Sequence, residues 1–93
     1  MAHYDYLYET VSREDITERI NNAEKRIKSD QDNKDNLMKD IKIVTTEIGK
    51  KAIEKEMSEL ERWIRQWERS LNKLNEALKR HDEGFKVSNY ELR

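Results

Sequence analysis

The segment Leu60 to Lys73, LERWIRQWERSLNK, holds the side chains of this sequence best suited to recognition chemistry. Trp63 and Trp67 stand four residues apart, so a helix would set both indoles on neighbouring turns of one face. Arg62, Arg65, Arg69 and Lys73 follow one another at spacings of three and four and would form a basic stripe beside them. Tryptophan and arginine are the residue types most enriched at binding hot spots, where a large rigid surface is desolvated and a planar cation fixes orientation. The same combination could hold single-stranded nucleic acid through phosphate contacts and base stacking. Against nucleic acid, Glu61 and Glu68 are placed to pair with Arg65, and the formal net charge is −1. A solvated, salt-bridged helix face is the ordinary explanation of such a stripe.

Catalytic constellations are weak by comparison. No glycine-rich phosphate loop, nucleophile with adjacent base, or spaced metal quartet can be read, so no enzymatic activity, cofactor or metal is expected. The acid and base candidates are His3, His81, Asp82 and Glu83, which a folded-back chain could bring together at one end. His81 reads better as a residue at a helix terminus, where a cation suits the helix dipole. Asp30, Asp32 and Asp35 could suggest calcium, whose loop ligands stand at alternate positions. However, Lys34 holds the fifth position of such a loop, the sixth lacks glycine, and Ile41 stands where a bidentate glutamate is needed.

These side chains must be positioned by helices. The chain has no proline, two glycines (Gly49 and Gly84) and 42% charged residues, a composition compatible with long charged helices or with disorder. Periodicity decides for helices. Ile16, Ile20, Ala23, Ile27, Asp30, Lys34, Leu37, Ile41, Val44 and Ile48 recur at alternating steps of four and three, and eight of these ten are apolar. A second seam runs through Ile53, Met57, Leu60, Ile64, Trp67, Leu71, Leu74, Leu78, His81 and Phe85. The five-residue step from Ile48 to Ile53 fits neither rhythm, and Gly49 sits in it, where a left-handed helix-ending residue belongs.

The expected fold class is therefore all-α. It is an antiparallel, coiled-coil-like helical hairpin forming one domain over residues 1–93: an aromatic N-terminal segment 1–11, helix 12–48, turn 49–51, helix 52–83 and C-terminal segment 84–93. Ser12 is placed to cap the first helix, with Asp15 answering it and Val11 and Ile16 stapling the entry. Folding about Lys50 and Lys51 pairs Ile48 with Ile53, Leu37 with Ile64 and Ile16 with Phe85, every facing pair having position numbers that sum to 101. Two features open alternatives. Residues 29–36, SDQDNKDN, are polar on all sides and could break the first helix into a three-helix arrangement, and the turn offers no capping side chain to the second helix. An uninterrupted helix through Gly49, forming a parallel dimer, is the further alternative.

The apolar residues Met38, Ile43, Ala52, Trp63 and Ala77 lie off the seam and exceed what one helix pair needs. Two hairpins packed face to face would bury them, so a homodimer forming a four-helix bundle is expected. The register also sets Asp30 and Lys34 opposite Leu71 and Trp67. Either the indoles wrap over this polar middle, with Lys34 stacking on Trp67, or the surface is undercovered and Trp63, Trp67 and Leu71 anchor a partner. Tyr4, Tyr6 and Tyr8 form an aromatic segment that could close the open end of the hairpin, pair as a short strand with the C-terminal segment, or dock elsewhere.

The function expected is that of a small non-enzymatic interaction protein, an adaptor or an inhibitor occluding a partner protein. The alternatives are a nucleic-acid binder using the basic stripe and a purely structural oligomerisation module. Absent cysteines suit a reducing compartment, the cytoplasm. No apolar run approaches a membrane span and no signal-like segment opens the sequence, so a soluble, unprocessed chain without membrane partners is expected. A bacterial or phage source would suit such a compact domain.

Overall fold

The computed structural model describes residues 9–92; the expectations placed on His3, Tyr4, Tyr6 and Tyr8 lie outside them. The chain forms an antiparallel hairpin of two helices, α1 (Arg13–Ile43) and α2 (Glu47–Asp82), followed by a 3-10 turn at Asn89–Leu92. Extents of 57 × 29 × 14 Å make it a slab one helix thick, since a helix with its side chains measures about 10–12 Å across.

Helix α1 starts where its sequence directs. Ser12 is the N-cap, its hydroxyl accepting from the Asp15 amide at 3.1 Å, and Val11 and Ile16 on either side are buried. The polar stretch 29–36 does not break it: α1 is continuous, so the three-helix alternative is excluded. Without proline or glycine, the modest helix preferences of Ser, Asp and Asn cost only tenths of a kcal/mol each. Lys34 in that stretch is tied to α2 by an ion pair with Glu61 at 3.1 Å.

The turn lies five residues earlier than the spacing suggested. Val44, Thr45 and Thr46 connect the helices, in place of residues 49–51. Thr46 is the N-cap of α2, its hydroxyl accepting from the Gly49 amide at 3.1 Å, so the missing cap is supplied after all. Gly49 is thus an interior residue of the first turn of α2. Its lack of a side chain matters for packing: a Cβ there would lie 2.6 Å from Val44 Cγ1 and 2.9 Å from Thr46 Oγ1. Ile48 consequently leaves the seam and is 85% exposed.

Moving the turn moves the register. Contacts across the pair join 13 with 82 and 34 with 61, whose numbers sum to 95, and 26 with 67 and 44 with 49, which sum to 93. The expected 101 is therefore wrong by about one heptad. Because the shift is close to a whole heptad, seam residues still meet seam residues. Every α1 seam position from Ile16 to Val44 and every α2 seam position from Ile53 to His81 is buried or half-buried, whereas Phe85, beyond the end of α2, is 62% exposed.

Burial is concentrated at the terminal end. Val11, Ile16, Ile20, Ala23, Leu74, Ala77 and Val87 form one core, with Trp67, Leu71, Leu78 and Leu92 packed against it. Each large aliphatic fully removed from water there contributes about 1.5–3 kcal/mol. Ile64 is the one further buried hydrophobic among the described residues; seam residues nearer the turn are only half-covered.

A clasp closes the terminal end. Helix α2 stops at Gly84, whose φ of 97° is left-handed, and the Gly84 and Phe85 amides bond to the carbonyls of His81 and Arg80, the glycine-ended arrangement that satisfies free helix carbonyls. The chain then returns antiparallel to its start, bridging Thr10 and Ser88, with Val11 N donating to Val87 O at 2.8 Å and Asn89 N to Glu9 O at 3.2 Å. The roles expected of Tyr4, Tyr6 and Tyr8 lie outside the described residues; it is Val11, Val87 and Leu92 that pack into or against the core, and residues 9–11 that pair with 87–89 through the backbone. The Arg19 guanidinium donates to Asn89 Oδ1 at 2.9 Å, and Arg80 pairs with Glu91 at 3.5 Å.

Two substitutions probe the ends of α2. Thr46→Ala, which strands the Gly49 amide, is expected to cost about 1 kcal/mol, and Gly84→Ala, which forces a side chain into the left-handed region, about 1–2 kcal/mol. Thermal melts followed by circular dichroism check both, each kcal/mol lowering Tm by roughly 4–8 °C in a domain of this size. An unchanged Tm in either variant would contradict the corresponding turn.

Candidate functional site

Helix α2 carries both tryptophans, but the hairpin treats them differently. Trp67 falls in the seam, half-buried against the terminal core, with the Arg26 guanidinium 5.7 Å from its ring centroid. Arg26 therefore takes the place expected of Lys34, because the one-heptad shift brings α1 residues near 26 level with Trp67. Trp63, four residues earlier, sits on the flank of the seam and is 49% exposed. Leu71 packs with Trp67 against the core.

Trp63 borders an open groove of about 510 Å³, lined by Asn33, Asn36 and Leu37 of α1 and Glu56, Glu59 and Leu60 of α2. Leu37 and Leu60, half-buried seam residues, form its apolar floor. A groove of similar size, about 520 Å³, runs along the opposite broad face between Gln31, Lys34, Asp35 and Glu61, Ile64, Arg65, Glu68. Their chemistry differs. The second holds five charged side chains of both signs, with Lys34 and Glu61 paired within it. The first holds two charges, both glutamate, and neither takes part in an ion pair among the described residues.

Arg62, Arg65, Arg69 and Lys73 are all exposed along the outer side of α2. Glu61 is engaged by Lys34, not by Arg65 as its spacing suggested. Among the described residues Arg62, Arg65 and Arg69 form no ion pair. Indole and stripe are thus adjacent on α2 but face different ways: Trp63 toward a broad face, the cations along the helix edge and, for Arg65, toward the opposite groove.

Of the acid and base candidates, His3 lies outside the described residues. Asp82 is held by Arg13 Nε at 2.9 Å, and among the described residues no group of three His, Cys, Asp or Glu side chains could hold a metal ion. Asp30, Asp32 and Asp35 lie on an unbroken helix, which cannot wrap a cation as a loop does. Among the described residues no helix is long and apolar enough to cross a membrane. No family of known proteins, no curated protein and no solved structure matches this chain.

Arg26 and the Asn33 and Asn36 wall of the groove were not singled out by sequence reasoning. The asparagines did leave a signal, since Asn22, Ser29, Asn33 and Asn36 recur at steps of seven, four and three as an uncharged stripe on a highly charged helix.

The two indoles should separate in a stability experiment. Trp67→Ala removes a residue packed on the core and is expected to cost about 2–3 kcal/mol, somewhat below the range for fully buried tryptophan. Trp63→Ala should cost under about 1 kcal/mol. Urea unfolding of the two variants measures both; equal losses would mean that Trp63 is also structural.

Proposed function

We propose that this chain is a small non-enzymatic interaction protein, cytoplasmic in setting, that docks on another protein through the broad face bearing Trp63, as an adaptor or as an inhibitor occluding the partner's site. One observation carries the reading: the hairpin packs Trp67 against its core and leaves Trp63 half-exposed beside an apolar-floored groove. An exposed indole is costly to leave in water and valuable to bury in a complex, which is why tryptophan anchors interfaces. Arg62, Arg69 and Lys73 run along the outer edge of α2 beside this face and Arg65 lines the opposite groove, while Trp67 and Leu71 pack against the core. The absence of cysteine supports a reducing setting.

A homodimer is the second reading. Met38, 46% exposed, is specific support for it, since pairing two slabs into a four-helix bundle would cover off-seam apolar residues of this kind. Nucleic-acid binding finds less support: the groove beside Trp63 carries glutamates, which repel phosphate, and the cations point along the helix edge.

Sedimentation equilibrium combined with acrylamide quenching of tryptophan fluorescence tests the proposal on the full chain, with Trp63→Phe to assign the signal. The expected result is one strongly quenched, red-shifted indole contributed by Trp63 and one protected indole contributed by Trp67. A closed oligomer with both indoles protected would contradict it and leave the aromatic surface structural.

A further inference from the structure

We infer that the groove beside Trp63 receives an amphipathic helix with basic flanks from the partner protein, an inference that rests on the docking reading above and specifies the partner's chemistry. Two antiparallel helices present a continuous furrow, and a third helix laid in it completes a three-helix layer, the helix-in-groove mode of recognition. The helix stretch from Glu47 to Trp67, with the groove at its middle, is about 31 Å long, room for an added helix of roughly twenty residues.

The face is built to be covered, and at its terminal end it already is. Ile48, Ala52, Trp63 and Ala77 fall on one side of α2, at spacings of four, eleven and fourteen that keep near-helical phase. Ala77 is off the seam yet fully buried, in the same core as Val11 and Val87, with Leu92 packed against it. There the chain's own ends lay apolar side chains on the face and flank them with polar ties, Arg80 to Glu91 and Arg19 to Asn89. Toward the turn the same side of α2 continues through Trp63, Ala52 and Ile48 with no such cover among the described residues.

Charge selects the occupant. In a chain that is 42% charged, the α1 side of this face presents Asn22, Ser29, Asn33 and Asn36, and depletion of charge marks the centre of interfaces. Arg26 on that side is committed to Trp67. What remains in the groove is Glu56 and Glu59, so the complement is an apolar stripe for Leu37, Leu60 and Trp63 with lysine or arginine alongside. A second copy is a poorer complement, because pairing this face with itself would bring Glu56 and Glu59 against the same carboxylates. With both turns at one end, two clasps would also meet.

The test uses the full chain and two synthetic peptides of roughly twenty residues, identical in a leucine heptad stripe and differing only in lysine or glutamate at the flanking positions. Binding is read from tryptophan fluorescence, with Trp63→Phe to assign the signal and circular dichroism to confirm folding of each variant. The lysine peptide should bind several-fold more tightly and blue-shift Trp63. Glu56→Lys with Glu59→Lys should reverse the preference, and Glu54→Lys with Glu68→Lys, outside this groove, should leave it unchanged. A preference untouched by reversing Glu56 and Glu59 overturns the inference. So does absence of binding by either peptide while Trp63 stays accessible to quencher, an outcome that leaves the docking reading standing. A chain that dimerises alone with Trp63 protected overturns both.

Discussion

The bond from the Gly49 amide to the Thr46 hydroxyl decides where this chain folds back, and the rest of the structure depends on that position. A helix pair has one degree of freedom that composition leaves open, the sliding of one helix along the other. Heptad repeats make several registers nearly equivalent, because each shift of seven returns seam residues to seam residues. The capped turn at residues 44–46 selects one of them. It turns Ile48 out into water, ends the apolar seam before Phe85 and brings Arg26, not Lys34, over Trp67.

The chosen register distributes burial unevenly, and that unevenness is what gives the surface its character. At the terminal end the clasp adds Val11, Val87 and Leu92 to the helices, so the core there is enclosed on more than one side. Toward the turn there is only one layer, and Leu37, Ile41, Ile53, Met57 and Leu60 stay half-covered. A two-helix layer cannot bury a second stripe by itself. Trp63 and Met38 are therefore exposed on opposite broad faces by geometry, and the faces differ in charge: one is balanced by its own ion pair, the other carries two glutamates over an apolar floor.

Much of this was legible in the sequence. The alternating three and four spacing identified both helices and nearly every seam residue, and Ser12 marked the start of α1, because these signals are local and repeat. The turn was misplaced for an equally physical reason. Val44 and Ile48 continued the apolar rhythm across it, and Gly49 resembled a helix end, while Thr46 ahead of Glu47 was a sufficient cap that the rhythm concealed. The polar run 29–36 suggested a break, yet a run without proline or glycine stays helical when both flanks are packed. Trp63 and Trp67 were recognisable as a pair on one helix. Their seam and flank positions were legible too; that the core against Trp67 is closed by a terminal clasp was not, since its residues, Val11 and Val87, are 76 positions apart.

This hairpin is closed at its terminal end and thinly covered toward its turn. Native-state amide hydrogen exchange resolved by residue tests it most directly, because protection follows the local free energy of opening. The expected pattern is strongest protection in Ile16–Ala23 and Leu74–Leu78, declining along both helices toward Val44. Uniform protection of both helices, or a maximum near Leu37 and Leu60, would contradict it and would mean that the groove beside Trp63 is already filled.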